Sequence, residues 1–346
     1  MIYFNSDYLE GAHPSIMVRL AETNMVQTVG YGEDEYCEAA REKIKTACQA
    51  PEADVHFLVG GTQTNTTVIA AILRPWQGVI SAVSGHINCH EAGAIESTGH
   101  KVITLPTTNG KITAQQVRDY VEWHKNDEST EHIVQPGMVY ISHPTEGGTL
   151  YTKAELTALY DTCRRYGLPL FIDGARLGYG LMAEESDMTL PEIARLCDVF
   201  YIGGTKVGAL FGEAVVIMNE ALKKDFRFIM KQRGGRMAKG RLLGVQFDTL
   251  FTDDLYFKIS RHAIEMAHQI RDIFVSAGYP LLFDSPTNQQ YPIMSDDELA
   301  ILGKSFGYEY WERVDETHSG VRFCASWATK QEHVDALRAA VNALKK

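Results

Sequence analysis

The sequence predicts an α/β protein: a large domain built on a mostly parallel sheet of seven strands, followed by a smaller α+β domain. Three observations carry this reading. From about residue 53 to 218, short apolar runs alternate with helical patterns, as crossover connections between parallel strands require. After about residue 245 the alternation stops. Two of the apolar runs also deliver a charged residue, Asp173 and Lys206, to their C-terminal ends, where open α/β sheets place their ligands.

The seven strand candidates are Val55 to Val59, Val79 to Val83, Val102 to Leu105, Met138 to Ser142, Leu170 to Asp173, Val199 to Ile202 and Ala214 to Met218. Gly60-Gly61 follows the first and leads into an amphipathic stretch from Asn65 to Leu73. Thr152 opens a helix through Arg165, and Gly167-Leu168-Pro169 stops it. Beyond residue 245 a long helix from Phe257 to Ala277 precedes the turn Gly278-Tyr279-Pro280. Strands are expected from Gln290 to Met294 and from Val321 to Cys324, and a last helix from Lys330 to Lys346. The expected division is a segment of residues 1–15 lying across the lobes, a large domain of 16–244 and a small one of 245–346.

The composition is that of a globular chain of 346 residues, 45% hydrophobic and 22% charged. A net charge of −11 argues against nucleic acid as a partner, because such binding rests on neutralising phosphates. The local exception is the basic stretch from Lys223 to Arg241. It reads either as a solvated helix face with a loop or as an anchor for a phosphorylated group. Six scattered cysteines without a C-x-x-C pair suit reduced thiols. With no visible signal segment and no bilayer-length apolar run, the expectation is a cytoplasmic chain with no membrane partner.

Lys206 offers an amine for a Schiff base, and Asp173 a carboxylate for a protonated ring nitrogen. A structural ion pair is the alternative for either residue alone. The turn Gly60-Gly61-Thr62 between a strand and a helix makes a third element. Amides at a helix start lack partners and favour an anion. Its spacing is neither a dinucleotide nor a nucleotide-triphosphate loop. Together the three point to pyridoxal phosphate. Arg176 lies three residues past Asp173 and either clamps a substrate carboxylate or pairs with a nearby acid. His86 and His143 follow strands, where an imidazole can stack on a ring or move protons. His86, Cys89, His90 and Glu91 also raise a metal-site alternative, which no second cluster completes.

These motifs resemble those of the threonine aldolase and β-eliminating lyase family, pyridoxal-phosphate enzymes of fold type I, the aspartate-aminotransferase fold. The similarity runs from Ser6 to about Leu243, with a weaker match near Arg322. Asp173-Gly174-Ala175-Arg176-Leu177 is its most specific piece. The resemblance implies that Lys206 carries the cofactor, that Asp173 holds the ring nitrogen and that Gly61, Thr62 and Thr205 hold the phosphate. By the same resemblance Arg176, Arg322 and Ser6 bind the substrate carboxylate, and His86 stacks on the ring. His143 lies near the substrate side chain, and Lys231 lies near the pocket. Tyr31 approaches the neighbouring subunit's site, so the family likeness implies a homodimer or homotetramer. Two departures stand out. This chain has Pro144-Thr145-Glu146-Gly147-Gly148 where the family usually has Asn-Arg-Gly-Gly-Gly. It also has Ala238 where the family has a phosphate-contacting arginine, with Arg236, Lys239 and Arg241 as candidates to replace it.

The activity implied is cleavage of threonine, allo-threonine or a related β-hydroxy-α-amino acid to glycine and an aldehyde. His143, or a water held by His86 or Glu91, is the expected base on the β-hydroxyl. The alternatives are β-elimination or transamination on the same cofactor, and a non-catalytic regulatory protein that keeps the fold.

Overall fold

The computed structural model describes residues 1–345. Its centre is a seven-stranded sheet in the order Asp54–Leu58, Glu213–Ile217, Val199–Gly203, Leu170–Asp173, Gln135–Ser142, Gln77–Ala82 and Val102–Leu105. Every expected strand of the large domain forms. Glu213–Ile217 alone runs against the others, antiparallel to both its neighbours. The strands Leu170–Asp173 and Val199–Gly203 are buried along their whole length, as a parallel sheet covered on both faces demands. Each fully buried aliphatic side chain there contributes roughly 1.5–3 kcal/mol.

The strand directions position the site. Parallel strands bring Leu58, Ala82, Ser142, Asp173 and Gly203 to one edge. The reversed strand adds its first residue, Glu213, opposite Gly203. Two glycines let the central strand ends close on each other. A Cβ on Gly174 would lie 2.0 Å from the carbonyl oxygen of Tyr201, and one on Gly203 would lie 2.2 Å from that of Ala175. With bare backbone in both places, the Gly203 N–H donates to the Gly174 carbonyl at 3.0 Å.

Local signals set the helices. Helix Gly61–Ile72 starts four residues before the apolar periodicity, directly after the extended Gly60. Helix Lys153–Tyr166 has a capping box between Thr152 and Glu155 and ends at Gly167, whose φ of 68° suits glycine. Proline divides the strand expected from Gln290 to Met294. Gln289–Gln290 and Ile293–Ser295 flank Pro292, which has no N–H to give, and both pair with His318–Cys324.

There are two principal cores along the helix Leu255–Ser276. Tyr256, Ile259, Ala263 and Ile264 pack with the sheet. Met266, Ile270, Ile273 and Phe274 pack in a second cluster with Val321, Phe323, Val334 and Leu337. The change of core therefore falls inside this helix. The expected boundary at 244/245 lies within another helix, Arg241–Leu250, which packs on Glu35–Cys48. The N-terminal segment touches both cores: Ile2–Tyr3 pairs with Phe306–Gly307, and the His13 N–H donates to the Gly208 carbonyl at 2.8 Å. Among the described residues, no helix is long and apolar enough to cross a membrane.

Candidate active site

A cleft of about 250 Å³ opens at the edge where the parallel strands end. Gly61, Thr62, His86, Asp173, Thr205 and Lys206, all anticipated from the sequence, line it together. Tyr8, Tyr201 and Glu213 line it as well, and the sequence reading did not include them.

Asp173 is buried and takes four hydrogen bonds. Tyr140 Oη and Asn65 Nδ2 donate to Oδ2 at 2.6 and 3.1 Å. Tyr201 Oη and the Ala175 N–H, the latter at 3.0 Å, donate to Oδ1. Burial by itself would raise the pKa of this carboxyl. The nearby His86 charge and the donors outweigh burial and lower it. Tyr140 and Tyr201 sit inside apolar strands, where they read as core. Their hydroxyls are what make the aspartate's position tenable.

A ring of hydrogen bonds runs from Asp173 around His86 and back. Asn65 Nδ2 also donates to Glu91 Oε1 at 2.8 Å, and His86 Nδ1 shares a proton with that same oxygen at 2.8 Å. On the other side, the His86 backbone N–H donates to Glu146 Oε1 at 2.8 Å, and Ser142 Oγ donates to it at 2.6 Å. Ser142 Oγ lies 3.3 Å from Tyr140 Oη, which returns the ring to Asp173. Burial opposes charge on His86, but the Glu91 hydrogen bond and the Asp173 and Glu91 charges raise its pKa.

Lys206 follows the neighbouring strand, and its loop is pinned by Tyr179 Oη donating to the Lys206 carbonyl at 2.6 Å. Burial and the Arg176 charge lower the pKa of its amine, against the pull of Asp7, Asp173 and Glu213. Burial pushes Glu213 up to about 8, opposed by Thr205, Lys206 and the Gly204 N–H. The donor set suits pyridoxal phosphate. The start of helix Gly61–Ile72 and Thr205 offer N–H and hydroxyl groups to a phosphate. A Cβ on Gly60 would meet nothing within 4 Å, which leaves that cradle open. Lys206 supplies the amine and Asp173 the ionised carboxylate.

Beside the cleft, Arg176 Nε and Nη2 donate to the two oxygens of Asp7 at 2.7 and 3.0 Å. Arg176 thus makes the pairing with a nearby acid that was one of its two expected roles. Asn288 Nδ2 adds a third bond to Asp7 at 2.9 Å. Arg322 donates to Gln289 Oε1 and the Asn5 carbonyl and pairs with Glu309. Among the described residues Asn5 Oδ1, Ser6 Oγ and Arg322 Nε are buried without partners. Such atoms are costly unless a ligand completes them.

Three expected site residues lie elsewhere. His143 is 1% exposed, does not line the cleft, accepts the Tyr151 N–H at Nδ1 over 3.4 Å, and has Nε2 buried without a partner among the described residues. Strand alternation explains this placement. Tyr140 and Ser142 share the face that meets Asp173, so the next residue turns to the other. Burial lowers the pKa of His143 to about 4 and keeps it neutral. Tyr31 and Lys231 meet each other, with Lys231 Nζ 4.6 Å from the Tyr31 ring centroid, but neither lines this cleft. The basic stretch is held by the chain itself. Arg241 donates to the carbonyls of Thr23, Asn24 and Val26, and Arg227 and Arg236 face Glu33. Cys89 Sγ donates to the Val83 carbonyl, and among the described residues no group of three His, Cys, Asp or Glu side chains is placed to hold a metal.

This fold is that of the fold type I pyridoxal-phosphate enzymes. A mutant form of Thermus thermophilus aspartate aminotransferase shares the fold alone, with a TM-score of 0.72 at 14% identity over 99% of this chain and 95% of that one. Residues 4–341 match the family described as Beta-eliminating lyase, and the chain belongs to that family. A low specificity L-threonine aldolase of Pseudomonas aeruginosa is 29% identical over 96% of this chain and 95% of its own length. The solved structure of Leishmania major threonine aldolase covers 100% of both chains at 42% identity, with a TM-score of 0.97. The family and its fold are pyridoxal-phosphate-dependent, and the chain is an enzyme of the lyase class.

The Asp7–Arg176 pair generates a prediction about stability. Burial alone would raise the Asp7 carboxyl, but Arg176, Lys206 and Asn288 hold it at about 2, below its unfolded 3.8. The pair's stabilisation is therefore complete above about pH 4 and is lost as pH falls through the folded value. Asp7→Asn leaves the buried guanidinium without its counter-charge and should cost about 3–5 kcal/mol at neutral pH. The difference from the parent chain should shrink on acidification. Urea unfolding of both proteins at neutral and acid pH measures it, and an equal difference at both contradicts the assignment.

Proposed function

We propose that the protein binds pyridoxal phosphate through Lys206 and cleaves threonine, allo-threonine and related β-hydroxy-α-amino acids to glycine and an aldehyde. The observation that carries this is the free amine of Lys206 facing an ionised Asp173 across one cleft, beside an open anion cradle. The full-length likeness to threonine aldolases favours this over transamination.

Each residue then has a task. Gly61, Thr62 and Thr205 hold the phosphate with N–H and hydroxyl donors. Asp173 accepts the ring N–H, so the ring draws electrons from bonds at the substrate's Cα. His86, fixed by Glu91, lies against the ring. Arg322 and Ser6 hold the substrate carboxylate, and Arg176 either shares that task or keeps Asp7 in place. Orienting the carboxylate sets which bond at Cα stands perpendicular to the ring, and so which one breaks. We also propose two domains, a large and a small one, whose cores meet within the helix Leu255–Ser276 rather than at 244/245. Six free cysteines suit a reducing cytoplasm.

We further propose a homo-oligomer, a dimer or tetramer, in which Tyr31 and Lys231 complete the partner's cleft. Met17, Val18, Met25, Val26 and Val29 are exposed close together in the chain, Met25 at 87%, an apolar surface of the kind a second copy covers. Light scattering on the purified protein should give at least twice the 38.6 kDa of one chain. A strict monomer contradicts the shared site.

Incubation with threonine tests the reaction itself. Acetaldehyde and glycine are expected, whereas ammonia with a keto acid means elimination or transamination. Lys206→Ala should abolish the protein-bound cofactor's visible absorbance together with activity. An unchanged spectrum in that variant contradicts the anchor, and a loaded parent protein inert on every amino acid contradicts an enzyme.

A further inference from the structure

With His143 turned into the core, the aldolase reading leaves the substrate's β-hydroxyl without a base. Glu146, although not itself among the residues lining the cleft, lies directly behind His86, which is. Its Oε1 is fixed by the His86 backbone N–H and by Ser142 Oγ. Its own carbonyl accepts from Tyr291 Oη at 2.8 Å and from Gln289 Nε2 at 3.4 Å. Gln289 Oε1 in turn accepts from Arg322 Nη1 at 3.0 Å. Glu146 is thus tied on one side to the histidine that lines the cofactor cleft and on the other to the arginine assigned to the substrate carboxylate. Glu146 therefore sits between the groups assigned to the cofactor ring and to the substrate carboxylate.

Each of the other carboxyls and imidazoles around His86 is bonded at one atom or more. The Glu91 side chain is wholly shielded from solvent; its Oε1 serves Asn65 and His86, and its Oε2 is buried without a partner among the described residues. Asp173 takes four donors. His86 Nδ1 is engaged by Glu91. Glu146 directs both of its bonds from other residues to Oε1, its Oε2 takes none among the described residues, and the residue is only partly buried. A carboxylate with one fixed and one free oxygen is aimed and still able to accept a proton.

We propose that Glu146 is the catalytic base that takes the proton from the substrate's β-hydroxyl. This rests on the aldolase reading above. The hydroxyl O–H bond breaks and its proton passes to Oε2. The oxygen's freed pair forms the aldehyde C=O while the Cα–Cβ pair withdraws onto Cα. Cα takes a proton from the site and leaves as glycine, and Glu146 returns its own proton to solvent, so threonine equals glycine plus acetaldehyde. Burial raises the pKa of Glu146, against the donors from Ser142 and its own backbone. That makes the carboxylate a stronger base than one in water. Glu146, which lies in the departure from the family pattern, takes the work that the resemblance gave to His143.

Glycine has no β-hydroxyl, so exchange of its α-hydrogen in D₂O needs the cofactor, Lys206 and Asp173 but not Glu146. The test compares threonine cleavage with glycine exchange in the loaded parent protein, Glu146→Gln and Glu146→Asp, with the bound cofactor's visible absorbance recorded for each. For Glu146→Gln, kcat for cleavage should fall about 10²–10⁴-fold with KM and exchange changed by no more than about threefold. The absorbance should be unchanged, and Glu146→Asp, which keeps a carboxylate, should recover part of the loss. An unchanged ratio of cleavage to exchange, whether both persist or both collapse, overturns the assignment; if the Gln variant does not fold, the same ratio in Glu146→Asp decides. A selective loss of cleavage in His143→Asn with none in Glu146→Gln hands the role to His143. A parent protein that exchanges glycine but releases no aldehyde overturns the aldolase reading, and the role of Glu146 with it.

Discussion

Burying Asp173 at the end of a sheet strand favours its neutral form, and the groups placed around it reverse that outcome. Two phenols, one amide side chain and one backbone N–H converge on its oxygens. Each comes from a different part of the fold. Tyr140 and Tyr201 come from the flanking strands, Asn65 from the helix that also opens the anion cradle, and Ala175 from the glycine-bearing turn that follows. The close approach at Gly174 and Gly203 brings the Tyr201 strand within reach. Sheet order, glycine placement and helix position therefore serve one ionised carboxylate, and Lys206 is delivered beside it by the same geometry.

The charges in the cleft balance in an ordered way. Asp173, Glu91 and Glu146 surround His86, and the imidazole's raised pKa answers that concentration of acid. Near the anion cradle the logic is opposite. Burial pushes Glu213 up, against the pull of Thr205, Lys206 and the Gly204 N–H, which weakens the negative charge beside the place a phosphate would sit. A buried acid that stays largely protonated can act as a donor there. The reversed strand explains its presence, since only a strand entering at this edge places its first residue beside Gly204.

Much of the fold and half of the site could be read from the chain. The seven strands follow from apolar runs, and Thr152 with Gly167 marks a helix at both ends. Asp173, Lys206 and the Gly61-Thr62 turn are legible because charge or bare backbone at a strand end has few structural uses. Tyr140 and Tyr201 were not, because an aromatic in an apolar run looks like core until its hydroxyl finds a partner. Asp7 and Arg176 lie 169 residues apart in sequence, and nothing local announces their pairing. His143 shows the limit of motif distance. One residue of strand phase decides whether a side chain meets the cleft or the core, and a motif aligned by its histidine does not record that phase. The small domain's boundary was obscured for a similar reason: a helix whose two halves join different cores has no composition change to mark it.

The most direct measurement is the ¹⁵N chemical shift of the ring nitrogen in protein loaded with ¹⁵N-labelled pyridoxal phosphate. The account predicts a protonated ring nitrogen at neutral pH in the parent protein and a shift toward the unprotonated value in Asp173→Asn, where the charge is removed and the shape kept. An unprotonated ring nitrogen in the parent protein, or a shift indifferent to that substitution, would contradict the claim that the fold is organised around an ionised Asp173.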